Sequence, residues 1–188
     1  MTLAFWFLFL FARFPLACPS DMAQVGGVCI DRYEAPNEKG ALPLVMQSFV
    51  DAERWCEARG KRTCTEDEWE GACRRQAEGR SCNNARSWIA FDIDRYASSK
   101  TQGAEVARLF QGSPGGSFET CRTPEGVFDL DGNVEEWVRA RKGRPWRAVL
   151  KGGFWAKGWP KCWEANDAHE PTFRFFETGF RCCKDTGP

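Results

Sequence analysis

Two stretches of the chain carry apolar residues at helical spacing. Phe49, Ala52, Trp55 and Cys56 recur on one face. Ser48 stands before them as an N-cap with Asp51 at the third helical position, and Gly60 supplies a stop. Thr65 and Glu68 write a second capping box, and Trp69, Ala72 and Cys73 share the face that follows. Two short helices are expected, with Cys56 and Cys73 both turned inward. The remaining apolar pattern comes in short runs broken by Gly, which predicts short strands joined by turns. From Asn83 to Gly116 there is little periodicity, and Ser113-Pro114-Gly115-Gly116 reads as loop. No internal repeat stands out.

The N-terminus has a different pattern. Met1 to Leu10 is almost wholly apolar, and the run continues through Ala12. That is too short to span a membrane and suits the apolar region of a signal peptide. Pro15-Leu16-Ala17 offers a small-residue cleavage site, so residues 1–17 are expected to be a signal peptide and residues 18–188 the domain. Leu16-Ala17-Cys18 also resembles a lipoprotein site with a lipid anchor on Cys18. That reading ranks second, because it leaves an odd number of cysteines.

A length of 188 residues suggests one domain. Lys plus Arg and Asp plus Glu each number 26, and no long basic run occurs, so neither nucleic acid nor an anionic membrane is indicated. Arg141-Lys142-Gly143-Arg144 is the densest basic patch and reads as a solvated loop. Nine Trp and fifteen Phe are unusual; some belong to the core, and so many wide rings also suit a ligand groove. Ten cysteines behind a signal sequence argue for a secreted or periplasmic protein with a disulfide framework. Zinc fingers are disfavoured, since Cys-x-x-Cys is missing and His169 is the single histidine.

Asp129, Asp131, Asn133, Glu135 and Glu136 crowd around the turn signal Asp131-Gly132. Hard oxygen ligands over so short a span are what Ca²⁺ needs. The EF-hand pattern fails, because Gly132 is misplaced and Ala140 stands where its last Glu belongs. Spacing alone leaves a calcium turn and a solvated acidic turn both open.

Six ordered segments add a resemblance. They are Cys29-Ile30-Asp31-Arg32-Tyr33-Glu34-Ala35-Pro36-Asn37, Pro43 to Ala52, Gly60-Lys61-Arg62-Thr63-Cys64-Thr65-Glu66-Asp67-Glu68-Trp69-Glu70, Gly126 to Trp137, Lys151-Gly152-Gly153-Phe154-Trp155 and Gly179-Phe180-Arg181-Cys182. Together they resemble the sulfatase-modifying-factor domain, the family of formylglycine-generating enzymes. The resemblance implies an α+β, C-type-lectin-related fold with two short helices, small antiparallel sheets and many loops. It implies the disulfides Cys56–Cys182 and Cys73–Cys162. For the rest, Cys18–Cys29 would close a short loop, Cys82–Cys121 would tie the ends of the middle insertion, and Cys64 and Cys183 are left for each other. It also implies a structural Ca²⁺ held by Asp129, the Gly132 and Val134 carbonyls and Glu136. Asn133 would brace the turn, and Glu135 would point away.

The family's chemistry oxidises a substrate cysteine with O₂ at Cu(I) held by two thiolates, the soft ligands that ion prefers. Those cysteines follow the Gly-Gly-Ser motif, and here Phe154 to Lys161 contains none. A related branch uses a three-His iron site, which one histidine cannot supply. No copper, no iron and no catalytic residue are therefore expected. The vicinal Cys182-Cys183 as a redox pair and His169 beside Glu170 as a general base are weaker readings than structural roles. The expectation is a calcium-stabilised binding or accessory module for a peptide, protein or glycan; a diverged thiol oxidoreductase is the alternative.

Overall fold

The computed structural model describes residues 18–156 and 162–187. Helix α1 (Phe49–Glu57) begins at a reciprocal capping box. Ser48 Oγ accepts from the Asp51 N–H at 3.2 Å, and the Asp51 carboxylate accepts from the Ser48 N–H at 3.0 Å. Helix α2 (Glu66–Cys73) repeats the device with Thr65 and Glu68. Gly60, at φ +64°, turns the chain out of α1, and the Lys61 N–H closes back on the Cys56 carbonyl.

Two further helices, α3 (Ile93–Ala97) and α4 (Gln102–Leu109), occupy the stretch that reads as unpatterned. Asp92 caps α3 by accepting from the Asp94 and Arg95 N–H groups. The buried face of α4 carries Glu105 next to Leu109. Glu105 is held there by Arg108, by Arg95 and by the Asp92 N–H. A paired charge on the inward face interrupts the apolar stripe, which hides the helix from a reading of polarity alone.

Strands β1 (Met22–Val25), β2 (Val28–Asp31) and β3 (Arg62–Thr63) join the late strand β7 (Cys182–Asp185) in an antiparallel sheet of order β1-β2-β7-β3. A second sheet has the order β5-β4-β6, from β4 (Glu135–Arg139), β5 (Ala148–Lys151) and β6 (Thr178–Gly179). The second sheet adds a parallel pairing to the expected antiparallel ones. β4 and β6 run parallel, because the chain leaves β5 through a long connection and re-enters alongside β4 in the same sense. Apolar side chains fill the space between the sheets and helices. Ile30, Trp69, Leu130, Val138 and Val149 form one group, Phe49, Trp137, Leu150 and Phe180 a second, and Leu109, Phe154, Trp155 and Phe176 a third.

All ten cysteines are bonded: Cys18–Cys29, Cys56–Cys182, Cys64–Cys183, Cys73–Cys162 and Cys82–Cys121. The first bond takes the sulfur that a lipid anchor on Cys18 would need. The vicinal pair Cys182 and Cys183 reach different partners, one on α1 and one beyond β3, so β7 is stapled on both faces. The basic loop is not simply solvated. Arg141 and Arg144 both reach the buried carboxylate of Glu66, Arg141 also meets Glu70, and Arg144 meets Asp167. No described helix is long and apolar enough to cross a membrane.

Candidate functional site

The acidic turn is built from residues forced into left-handed backbone. Asp129, Gly132 and Asn133 have φ of 59°, 88° and 62°. Only glycine fits at 132, since a Cβ there would lie 2.4 Å from the Asn83 carbonyl oxygen. The turn packs against the loop that follows Cys82, and the Asn133 N–H donates to that same Asn83 carbonyl. Asn133 then braces three segments. Its amide oxygen accepts from the Ser113 N–H and from Asn83, and its amide nitrogen donates to Glu34 at 2.6 Å. Asp131 turns outward to Arg80 at 2.7 Å and to Asn84.

At the centre stands Arg181, fully buried and ringed by carboxylates. Its Nε and Nη2 donate to the two oxygens of Glu136 at 2.7 and 2.6 Å, and its remaining donors reach the Asp31 and Phe128 carbonyls. Trp69 Nε1 donates to the same Glu136 carboxylate at 2.8 Å. Glu34 accepts from Asn133 and from the Val134 N–H, and Asp129 accepts from the Gly116 N–H at 2.9 Å. Burial, and then the negative charges of Asp129 and Glu136, push Glu34 well above the usual carboxylate range. Burial likewise lifts Asp129 to about 6.

This geometry tests the implied calcium ligands. Glu136 meets three N–H donors, two of them the parallel fork of a buried guanidinium, and Ca²⁺ coordination draws on six to eight free oxygens. Of the set implied to hold calcium, Glu136 is shared with Arg181 and Trp69, and one Asp129 oxygen accepts from the Gly116 N–H. The positive charge at the centre of that set is Arg181. Among the described residues, no three His, Cys, Asp or Glu side chains are grouped to hold a metal.

Glu135, one residue before Glu136, faces the other side of β4, as strand alternation requires. It points away from Arg181 and inward rather than to solvent. It is 2 % exposed and accepts from the Asn166 amide at 3.3 and 3.4 Å. Glu177 lies alongside, its carbonyl accepting from the Glu135 N–H at 2.9 Å. Near them the aromatic residues come together. Tyr96 packs on Phe175 at 4.8 Å, Phe175 on Phe91 at 5.4 Å, and Trp88 on Phe154 at 6.0 Å. Trp88, Phe91 and Ile93 reach solvent from this face. His169, weighed above as a general base, stacks flat on Phe173 with ring centroids 3.7 Å apart, and burial lowers its pKa. Of the stretch from Phe154 to Lys161, residues 157–161 lie outside the described residues.

The model of the sulfatase-modifying factor enzyme 1-like domain matches residues 11–186. The chain belongs to that family. Inactive C-alpha-formylglycine-generating enzyme 2 of Mus musculus is 32 % identical over 165 residues, covering 80 % of this chain and 51 % of that protein. The chain thus spans about half the length of the curated relatives it matches. Two solved structures share the fold. CarF superposes with a TM-score of 0.58 at 16 % identity, over 85 % of this chain and 87 % of its own. PvdO from Pseudomonas aeruginosa superposes at 0.53 and 19 % identity, over 92 % and 90 %. Identities this low speak to the fold alone. Within this sulfatase-modifying-factor fold, sequence reading missed Glu34, Asn166, Glu177 and Arg181 as parts of the site. Glu34 and Arg181 lie inside motifs quoted above, but nothing in a linear pattern shows that Arg181 meets Glu136, 45 positions earlier.

Proposed function

We propose that this sulfatase-modifying-factor domain is a non-catalytic binding or accessory module, exported to an oxidising compartment, that presents its aromatic face to a peptide, protein or glycan. The observation that carries this reading is the state of the cysteines. All ten are committed to disulfides, so none is left as a thiolate for Cu(I) or for thiol exchange. The curated relatives named as inactive enzymes support the same reading. Five disulfides support export, because thiols stay reduced in the cytosol. The exposed Trp88, Phe91 and Ile93 supply the contact surface.

The test combines chemistry with binding. Thiol titration of the denatured, unreduced protein should find no free thiol. Incubation of a Cys-x-Pro-x-Arg peptide with the protein, O₂ and Cu(I) should leave no aldehyde by mass spectrometry. Peptide and glycan arrays should show retention that Trp88→Ala with Phe91→Ala removes. Aldehyde formation, or two free thiols, would instead establish the diverged oxidoreductase.

A further inference from the structure

Behind the aromatic face lies a pair of carboxylates that the protein's own cations leave alone. Among the described residues, the Glu135 carboxylate meets only the Asn166 amide, at the long end of hydrogen-bonding distance. Glu177 Oε2 is buried and has no hydrogen-bond partner. Among the described residues neither carboxylate forms an ion pair. Arg174, the cation closest to Glu177 in sequence, turns to Asp51 at 3.2 Å instead. The contrast with the neighbouring cluster is direct, because Glu136 on the opposite face of the same strand has Arg181. A buried anionic pair without a counter-charge is costly, and burial followed by the charge of Glu135 raises Glu177 to about 8.

The wall beside the pair is aromatic. Burial and then the Glu177 charge raise the Tyr96 hydroxyl to about 12. Tyr96 leads through Phe175 to Phe91, which is 38 % exposed. Aromatic faces carry negative quadrupoles, so wall and floor attract the same kind of group. A ligand complementary to both has an apolar stem and a positive tip. The compact ammonium of lysine, with three donors on a slim methylene chain, needs less width between two walls than the planar guanidinium fork of arginine. The outer rings lie open at the surface, and an open face suits a polypeptide, whereas small ligands favour concave, enclosing pockets.

We propose that this face binds a polypeptide through a lysine side chain, its methylenes against Phe91, Phe175 and Tyr96 and its ammonium between Glu177 and Glu135. The inference rests on the binding-module reading above and names the chemistry of its ligand. It is tested with capped heptapeptide pools, randomised around a fixed central Lys, acetyl-Lys, Arg, Gln or Glu, incubated with the immobilised full chain. The Lys pool should be retained at least tenfold over the Gln, Glu and acetyl-Lys pools and above the Arg pool. Glu177→Gln should erase that preference. Acetylation makes the same test from the ligand's side without altering the protein. Equal retention of Lys and Gln pools, Arg retained as well as Lys, or a preference that survives Glu177→Gln would overturn the inference. If the retained peptides are indifferent to charge yet lost on Phe91→Ala, the binding module stands with another ligand. If no pool is retained, the inference falls and the glycan array decides the broader reading.

Discussion

Arg181 and Glu136 show how a buried charge is kept. The pair is bidentate, closed off by Trp69, and excluded from water. Removing one member leaves the other charged and uncompensated, which commonly costs about 3–5 kcal/mol. Arg181→Met should therefore be among the most damaging single changes, read as a lower midpoint in urea unfolding. Glu177 behaves in the opposite sense. Its folded-state pKa is raised from the ordinary 4.5 to about 8, so the folded protein holds this proton more tightly than the unfolded chain does. The contribution is fully present below the unfolded pKa and is lost as pH rises through about 8. Stability should fall between about pH 5 and pH 9, and Glu177→Gln should flatten the fall by on the order of 2–3 kcal/mol. Urea unfolding at several pH values checks both the slope and its loss. The family resemblance separates Glu135 from Glu136, but the residue pattern does not show the partners that set their charges. Their difference lies in what crosses the strand on each side, Arg181 on one and Glu177 on the other.

Elements were legible where their signals are local. Both capping boxes lie within four residues, and α1 and α2 start where Ser48 and Thr65 place them. Thr65→Ala should cost about 1 kcal/mol, measured by thermal unfolding, because it strips the N-terminus of α2 of its side-chain acceptor. α3 and α4 were not legible, since Glu105 replaces an apolar residue on the inward face and is satisfied only by partners outside the pattern. The parallel pairing of β4 with β6 was equally hidden, because β6 is two residues long and gains its place from Thr178 rather than from alternation. Thr178 Oγ1 donates to the Gln47 carbonyl and accepts from the Phe175 N–H. Cys56 and Cys182 link α1 to β7 across 126 positions. Cys56→Ser or Cys182→Ser should lose about 2–5 kcal/mol, read by unfolding without reductant.

At the scale of the whole molecule, the fold follows the family resemblance, and the residues implied for calcium surround Arg181. With Arg181 at the centre of the carboxylates, chelation by EDTA and addition of millimolar calcium should both leave the melting temperature in place. A calcium-dependent rise that Glu136→Gln abolishes would show that the guanidinium yields to the ion. The position of β7 has a separate consequence. It lies between β2 and β3 in its sheet, yet it is the last strand in chain order, and it carries the partners of Cys56 and Cys64. While the chain is being synthesised, both thiols emerge more than a hundred residues ahead of their partners. They are free in that interval to oxidise wrongly with Cys29 or Cys73, and native pairing must wait for the final strand to arrive. Maturation of this domain is thus a matter of timing, governed by thiol–disulfide exchange after the last strand has emerged.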